Sequence, residues 1–319
     1  MDKGALGPKK SMDITVFDLE RLESSSDLPI RRELTEAAGR NGYFFLRSTA
    51  VDELLISAVL DQAKAFFALP IEKKMFLAMR RSSGVKGYVG LGEELTNGKP
   101  DAKESVEFGR ERSIDNCERY HVLYRENIWP QAGCLPNFRE VVESYMQLLF
   151  SIGKRLYAQL SIGWELGPMR PMSPLSDHYF MMRLMHYPCQ YKGDHNPLGV
   201  NPHTDMACFV MSVESAPGLE VLEDCGTWKE VAAPPGVLVV LLGQFAKMLS
   251  GNSLKACIHR VHRKPDSVDR ISIPFFFYPD LDSELPVISA SDDKRSKTAA
   301  RLPGQMLWQR YESSFPGLI

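Results

Sequence analysis

The chain has 319 residues, of which 44% are hydrophobic and 24% charged, a composition that supports a large core and excludes an intrinsically disordered chain. Its 38 basic and 40 acidic residues nearly cancel, which excludes a strongly basic surface for nucleic acid. The longest apolar run, residues 236–243, is far shorter than the roughly 20 residues of a membrane helix, and no apolar segment lies near the first residue. The sequence therefore predicts no membrane partner. Since the six cysteines form no C-x-x-C pair, it also predicts reduced thiols and a cytoplasmic location.

The first part of the chain is predicted to be mainly helical. Residues 12–19 alternate like a short strand, and the apolar segment 43–46 predicts a second strand. Apolar residues at intervals of three and four predict helices over 28–39 and 51–68. A Leu-Pro pair then begins a lysine-bearing helix over 71–78.

A glycine-rich polar stretch separates this part from the next long helix. Residues 81–103 are predicted to be a loop, and loops of this length without secondary structure are usually functional or mobile. A long amphipathic helix is predicted over 136–163. After about residue 180, short apolar runs alternate with Gly, Pro, Asn and Asp turns, which is typical of a sandwich or barrel.

Helices first and strands second indicate one α+β unit rather than alternating βαβ units. We therefore expect a single domain over 1–319. Its predicted parts are a mostly helical N-terminal region (12–165), a strand-rich core (178–290) and a last helix at about 303–312 that lies over the core.

His203 and Asp205, in a His-x-Asp triplet, are the first candidates for chemistry. About one H-x-[DE] triplet is expected by chance in a chain of this composition, so the context must support it. Residues two apart on a strand point the same way, so both side chains can reach one metal ion. His259 follows 54 residues after Asp205, with His262 as the alternative on the opposite face of its strand. Two histidines and one carboxylate form the facial triad of non-haem Fe(II) oxygenases.

Arg270 and Ser272 follow the second histidine, again two residues apart on a predicted strand. A fixed guanidinium pairs with a carboxylate through two hydrogen bonds, and a hydroxyl adds one more. These two residues therefore predict a binding site for the distal carboxylate of a dicarboxylic acid. Tyr187, sixteen residues before His203, is a candidate for a further hydrogen bond.

Together these motifs resemble the 2-oxoglutarate- and Fe(II)-dependent dioxygenases of the isopenicillin N synthase-like family. The resemblance rests on H-x-D, the later histidine inside H-R-V, R-x-S and the aromatic run ending in Y-P. It extends to DITVFDL, FFALPIEKK and NIWP, so it covers most of the chain. It implies a double-stranded β-helix (jelly-roll) core with N-terminal helices packed on it. It also implies Fe(II), 2-oxoglutarate and O₂, with ascorbate as a helpful reductant, and oxidation of a small organic molecule in specialised metabolism.

The resemblance also implies roles for individual residues. The matching positions make His203, Asp205 and His259 the catalytic iron ligands. Arg270 and Ser272 would hold the C5 carboxylate of 2-oxoglutarate, with Tyr187 as a third contact.

Two residues of the predicted core are candidates for substrate contact. Arg183 lies four residues before Tyr187 and shares its face on a regular strand. Binding an acidic substrate, steadying 2-oxoglutarate and structural pairing are its three candidate roles. Phe276 shares the face of Arg270 and is a candidate to stack on the substrate, with core packing as the alternative.

The loop at 87–104 resembles the same stretch of the bacterial ethylene-forming enzyme, another family member. There, a Glu and a Thr help to bind an arginine co-substrate, and the matching positions here are Glu94 and Thr96. Stabilisation of the loop is the alternative role for Glu94.

Several functions remain open from the sequence. The main expectation is an oxygenase that hydroxylates, desaturates or cyclises its substrate while 2-oxoglutarate becomes succinate and CO₂. An oxidase of the same fold that needs no 2-oxoglutarate, an ethylene-forming type of enzyme and a non-catalytic receptor are the alternatives. The sequence predicts a small-molecule substrate and no nucleic-acid partner, and it leaves the oligomeric state open.

Overall fold

The computed structural model describes residues 14–24, 28–82, 84–113, 119–162, 177–189, 198–263, 268–285 and 302–317. Within these ranges, no helix has both the length and the apolar character that crossing a membrane requires. Parts of the predicted regions, such as residues 12–13 and 286–290, lie outside the described residues.

The helix over residues 53–67 begins and ends where its capping residue and the following proline predict. The carboxylate of Asp52 accepts a hydrogen bond from the N–H of Leu54 at 2.9 Å, and Pro70 follows the end of the same helix. The longest helix buries Val142, Tyr145 and Leu149, which are spaced three and four residues apart. The described helices are α1 Leu19–Glu23, α2 Leu28–Arg40, α3 Glu53–Phe67, α4 Ile71–Met75, α5 Phe138–Ile162, α6 Gln244–Leu249 and α7 Pro303–Ser314.

The described strands are short and mostly antiparallel. They are β1 Val16–Asp18, β2 Tyr43–Arg47, β3 Gly87–Val89, β4 Leu95–Thr96, β5 Lys99–Pro100, β6 Glu104–Gly109, β7 Phe180–Tyr187, β8 Leu198–His203, β9 Phe209–Glu214, β10 Leu219–Leu222, β11 Trp228–Glu230, β12 Leu238–Leu242, β13 His259–His262 and β14 Arg270–Phe277.

Two sheets form the core. The larger has the strand order β1-β2-β12-β9-β14-β7-β6-β3, and the smaller has the order β11-β10-β13-β8. Leu219 and Val221 of the smaller sheet pack with Val239 and Leu241 of the larger one, so the two sheets face each other across an apolar layer. This arrangement confirms the predicted jelly-roll core.

Strand β14 shows how the larger sheet divides its side chains between two layers. Arg270, Ser272, Pro274 and Phe276 line a pocket between the sheets. The alternate residues join the main core, where α5 covers the sheet. Phe277 lies so close to α5 that a Cβ atom at Gly153 would come within 2.6 Å of its ring. The period of two along β14 therefore separates the core from the pocket.

The structure corrects three expectations about secondary structure. The strand predicted over 12–19 is only β1, because Asp18 accepts a hydrogen bond from the N–H of Arg21 and begins α1. The helix predicted over 71–78 ends at Met75, and Ala78 instead forms a β-bridge with Tyr88.

The third correction concerns residues 81–103, which are not an unstructured loop. They contain β3, β4 and β5, and β3 pairs with β6 at the edge of the larger sheet. The Asn97 side chain also donates a 2.7 Å hydrogen bond to the carbonyl of Pro202, next to His203. This stretch is therefore tied to the end of β8, where the candidate metal ligands begin.

Candidate metal centre and pocket

Strand register brings the two predicted histidines together. His203 is the last residue of β8, His259 is the first of β13, and the two are paired across the smaller sheet. Their ring centroids are 4.2 Å apart. Asp205 lies just beyond the end of β8, so the predicted strand ends before it, yet its side chain still joins the two histidines.

The three side chains form a compact group of metal-ligating atoms. The Nε2 atoms of His203 and His259 lie 3.6 Å and 3.4 Å from the Asp205 carboxylate oxygens. One ligating atom from each residue lies within 4.8 Å of the other two. His262 is not part of this group: its side chain is 34% exposed and lies near Glu220.

Backbone carbonyls fix the tautomers of both histidines. The Nδ1 atom of His203 is 2.8 Å from the carbonyl of Asn201, and that of His259 is 3.2 Å from the carbonyl of Cys257. A carbonyl only accepts, so each Nδ1 must carry the proton and each Nε2 keeps its lone pair for a metal.

The electrostatics of the group also suit a divalent cation. Burial, together with His203, lowers the pKa of His259 to about 4, so this imidazole stays neutral near pH 7. Burial alone would raise the pKa of Asp205, but the two histidines and Arg183 hold it well below its usual range. Two imidazole nitrogens and one carboxylate therefore converge, a donor set that fits Fe(II).

Residues that the sequence analysis did not identify hold the loop of Asp205. The N–H of Gln244 donates a 2.8 Å hydrogen bond to the carbonyl of Asp205, and its side chain donates one to the Thr204 hydroxyl at 2.8 Å. At Gly243, a Cβ atom would lie only 2.2 Å from the carbonyl of Ala207. This close approach requires glycine, and no local motif announces it because the contact joins segments about 40 residues apart.

Arg270 and Ser272 lie on the pocket face of β14, as predicted from their spacing. Arg270 is buried, and its Nη2 atom is 2.9 Å from the Glu214 carboxylate. Its Nε donates to the carbonyl of Ala216 at 3.1 Å, whereas its buried Nη1 has no hydrogen-bond partner among the described residues. A buried, unsatisfied guanidinium nitrogen fits an incoming carboxylate.

Tyr187 lies beside Arg270, opposite it in the pairing of β7 with β14. The Arg270 guanidinium is centred 4.8 Å from the Tyr187 ring. Burial raises the pKa of Tyr187, while Arg270, Lys103 and a hydrogen bond with Ser272 act to lower it. The three residues predicted to hold one carboxylate are therefore adjacent.

Arg183 lines the pocket but is held between two carboxylates. It lies 2.8 Å from Glu94 and 2.6 Å from Glu107, with side chains that are at most 11% exposed. Lys103 pairs with Glu94 and, at 3.0 Å, with Asp101. Of the three roles considered for Arg183, structural pairing is the one that these contacts support.

The other two predicted substrate residues also line the pocket. The Thr96 hydroxyl donates a 2.8 Å hydrogen bond to Asp101. Phe276 packs in the core cluster and lies 5.5 Å from the Arg183 guanidinium. The sequence analysis did not identify Asp101, Lys103 and Glu107 as members of the charged cluster around Arg183. The pattern that could have indicated them is the alternation of charged and apolar residues along β6 and the segment before it.

Comparisons with known proteins agree with this site. A family model described as the 2OG-Fe(II) oxygenase superfamily matches residues 179–279. A second, described as the N-terminal part of the non-haem dioxygenase in morphine synthesis, matches residues 14–132. Together the two matches span the described sheets and the three candidate metal ligands.

Similar proteins come from several groups of organisms. The chain is 31% identical to the 2-oxoglutarate-Fe(II) type oxidoreductase hxnY of Emericella nidulans, over 77% of this chain and 73% of that one. It is 26% identical to a homoarginine-6-hydroxylase of Glycine max, over 84% and 83% of the two chains.

Solved structures share the fold. A 2OG-Fe(II) oxygenase family protein of Caulobacter crescentus superposes with a TM-score of 0.76 at 27% identity, covering 94% of this chain and 98% of that one. A Neurospora crassa protein solved in complex with alpha-KG and thymine gives a TM-score of 0.76 at 21% identity, covering 93% and 96%.

Proposed function

The chain belongs to the 2OG-Fe(II) oxygenase superfamily, and on that premise we propose that His203, Asp205 and His259 hold the catalytic iron. The protein is an Fe(II)- and 2-oxoglutarate-dependent oxidoreductase that acts on a small molecule. The observation that carries the residue assignment is the convergence of the three ligating atoms, together with the backbone carbonyls that contact both Nδ1 atoms and leave both Nε2 atoms for a metal.

Bound iron and 2-oxoglutarate supply the oxidising chemistry of this class: O₂ is consumed, 2-oxoglutarate loses CO₂ to become succinate, and the second oxygen atom oxidises the substrate. The residues of this chain bind and orient the reactants. The carbonyls of Asn201 and Cys257 hold the two imidazoles in a fixed tautomer. Leu219 and Leu241 of the apolar layer between the sheets also line the pocket.

We assign the C5 carboxylate of 2-oxoglutarate to Arg270, Ser272 and Tyr187. The unsatisfied Nη1 atom of Arg270 supports this assignment, because a bound carboxylate would complete its hydrogen bonds. Glu214 already pairs with Nη2 and fixes the plane of the guanidinium, so Arg270 presents one edge to the pocket.

The test is spectroscopic and uses the full chain. Anaerobic protein receives Fe(II) and 2-oxoglutarate, and we expect a weak visible charge-transfer band, followed by slow succinate formation once air and ascorbate are added. The variants His203→Ala, Asp205→Ala and His259→Ala should lose both signals, because two ligands do not retain the metal. Circular dichroism checks that the variants are folded.

His262→Ala is the matched control, since it removes an imidazole from the same strand three residues away. We expect this variant to keep the band and the succinate signal. If His259→Ala kept both signals and His262→Ala lost them, the ligand assignment would be wrong. Iron binding without succinate in the wild-type protein would instead favour an oxidase that needs no 2-oxoglutarate.

We further propose a cytoplasmic location and substrates other than nucleic acid. The five described cysteines are free thiols, which suits a reducing compartment. The near balance of 38 basic and 40 acidic residues provides no electrostatic footprint for a nucleic-acid backbone.

A further inference from the structure

Charge pairing along the pocket wall leaves no carboxylate free for a cationic substrate. Glu94 is engaged by Lys103 and Arg183. The other acidic residues that line the pocket are also engaged: Asp101 by Lys103, Glu214 by Arg270, and Asp205 by the two histidines of the metal centre. Within the described part of the chain, a substrate amine or guanidinium would therefore compete with existing ion pairs.

The basic residues of the same wall are paired with one exception. Arg183, Lys103 and Arg270 each face at least one carboxylate. Arg310 on α7 also lines the pocket, but its half-buried guanidinium has no ion pair or hydrogen bond with any residue that the structure describes. A cation in this position is left to pair with something that enters the pocket.

Two free hydroxyl groups accompany Arg310. Ser314 lies one helical turn after Arg310 on the same face of α7, and it is buried and lines the pocket. Tyr278 is only 3% exposed and lines the pocket immediately after β14. Neither hydroxyl has a hydrogen-bond partner among the described side chains and backbone groups.

Tyr278 and Arg310 line the same pocket as the candidate metal ligands His203, Asp205 and His259. A molecule held at Tyr278 and Arg310 therefore shares that pocket with the proposed metal centre.

We propose that Arg310, Ser314 and Tyr278 form a subsite for the carboxylate of the substrate, so that the enzyme oxidises small carboxylic acids. This α7 subsite rests on the proposed function and is separate from Arg270, which we assign to 2-oxoglutarate. One charge-assisted contact and two hydroxyl donors satisfy a carboxylate well.

The other side chains that line the pocket indicate the chemistry of the part of the substrate beyond its carboxylate. Much of the remaining pocket wall is apolar, with side chains that include Met181, Met206, Val210, Phe276, Leu307 and Phe315. We therefore expect the acid to carry an aliphatic or aromatic body. That body would lie over the metal centre while the carboxylate is anchored at α7.

Three probes with the same phenyl-bearing chain test the proposal: 3-phenylpropionate, its isosteric amide 3-phenylpropionamide, and the cation 3-phenylpropylamine. Binding is measured by calorimetry on anaerobic full-length protein with Mn(II) in place of iron and saturating 2-oxoglutarate, so that Arg270 is already occupied. We expect the carboxylate to bind about tenfold more tightly than the amide, as hydrogen bonds to charged groups require, and the amine to bind more weakly than both.

Variants test whether the preference for the carboxylate over the amide arises at the α7 subsite. Arg310→Gln should reduce carboxylate binding to the level of the amide, Arg310→Lys should keep part of the preference, and Tyr278→Phe should lose part of it. Arg139→Gln is the matched control, because it removes the same charge from an exposed position on α5, where Arg139 pairs with Glu143 and lies over the Trp129 ring. We expect this control to bind all three probes as the wild type does.

The proposal is overturned if the amide or the amine binds as tightly as the carboxylate, if no carboxylate binding is detected at about 10 mM, or if Arg310→Gln keeps the preference. The Fe(II)–2-oxoglutarate band separates this result from the proposed function. An Arg310 variant that keeps the band and loses probe binding reports on the subsite alone. A wild-type protein without the band refutes the proposed function whatever the probes do.

Discussion

Glu107 is a fully buried carboxyl group behind the pocket, held by Arg183 at 2.6 Å and by the hydroxyl of Tyr311 at 2.8 Å. Burial, with a contribution from nearby Glu94, raises its pKa to about 7, although Arg183 and Tyr311 act in the opposite direction. The neighbouring charges agree with this direction. Glu94 and Asp101 already balance Arg183 and Lys103, so a protonated Glu107 leaves the cluster neutral.

The raised pKa of Glu107 makes stability depend on pH in a specific direction. Between pH 4.5 and about 7, the folded protein holds a proton that the unfolded chain has released, so stability decreases as pH rises through this window. Glu107→Gln removes the ionisation. We therefore expect the free energy of unfolding of the variant, relative to that of the wild type, to rise by up to about 3 kcal/mol between pH 5 and 8. Urea unfolding at each pH measures this difference.

Glu143→Gln, which removes an exposed carboxylate from α5, is the control for the pH series. A constant difference between Glu107→Gln and the wild type at every pH would show that Glu107 is ionised throughout. In that case, Arg183 would outweigh burial in setting the pKa of Glu107.

Single residues were predictable where chemistry and spacing coincide within a short segment. Arg270 and Ser272 follow from two-residue spacing on a strand, whereas Asp205 joins His203 although it lies just beyond the end of β8. The sequence did not predict the pocket residues Glu214, Tyr278 and Arg310, because their roles depend on partners on other strands or on α7. The pairing of Arg183 with Glu94 and Glu107 could not be deduced either, since it depends on the register of β6 with β7.

At the scale of elements, a buried ion pair attaches α4 to the larger sheet. The Lys74 ammonium lies 2.7 Å from Glu104 on β6, and both side chains are only 10% exposed. Tyr88 donates a 2.6 Å hydrogen bond to the same carboxylate, and His186 lies 2.8 Å from it. These hydrogen bonds hold the pKa of Glu104 below its usual value against the effect of burial.

Glu104→Ala should therefore destabilise the protein by about 3–5 kcal/mol, because Lys74 would stay buried without its partner charge. Chemical unfolding measures the loss. The double variant Lys74→Met/Glu104→Leu should recover most of it, since apolar side chains of similar volume replace both charges. Asp61→Ala, which breaks an exposed pair with Lys64, should change stability by less than about 0.5 kcal/mol.

If Glu104→Ala cost no more than Asp61→Ala, α4 would be held by apolar packing alone.

The helices α2, α3, α5 and α7 were predictable, because caps, prolines and apolar periodicity all act within a few residues, whereas the short helices α1 and α6 were not predicted. The strands β3, β4 and β5 were not, because they are short and their pairing depends on chain segments distant in sequence.

At the scale of the molecule, the larger sheet joins parts of the chain that are far apart in sequence. Strand β2, from the region predicted to be mostly helical, pairs with β12, so that Leu46 faces Leu238. The N-terminal region also supplies β1, β3 and β6 to that sheet. Local patterns predicted the succession of strands, and the family resemblance supplied the jelly-roll, but neither determined this long-range pairing.

The residues that line the pocket belong to different parts of this architecture. The candidate metal ligands lie at the ends of β8 and β13 and in the loop that leads to β9, whereas the α7 subsite lies on the last described helix. A metal ion joins two strands and a loop that the unfolded chain leaves apart. Metal binding should therefore stabilise the fold independently of α7.

We expect Mn(II) at about 100 times its dissociation constant to stabilise the wild type by about 2.7 kcal/mol, and EDTA to reverse the effect. Asp205→Ala should lose this gain because it removes a ligand, whereas Arg310→Gln should keep it in full because Arg310 is not one of the three candidate ligands. Thermal unfolding with and without metal measures both. A reduced gain in Arg310→Gln would show that the metal centre and α7 are coupled, and that α7 responds to the metal as well as to the substrate.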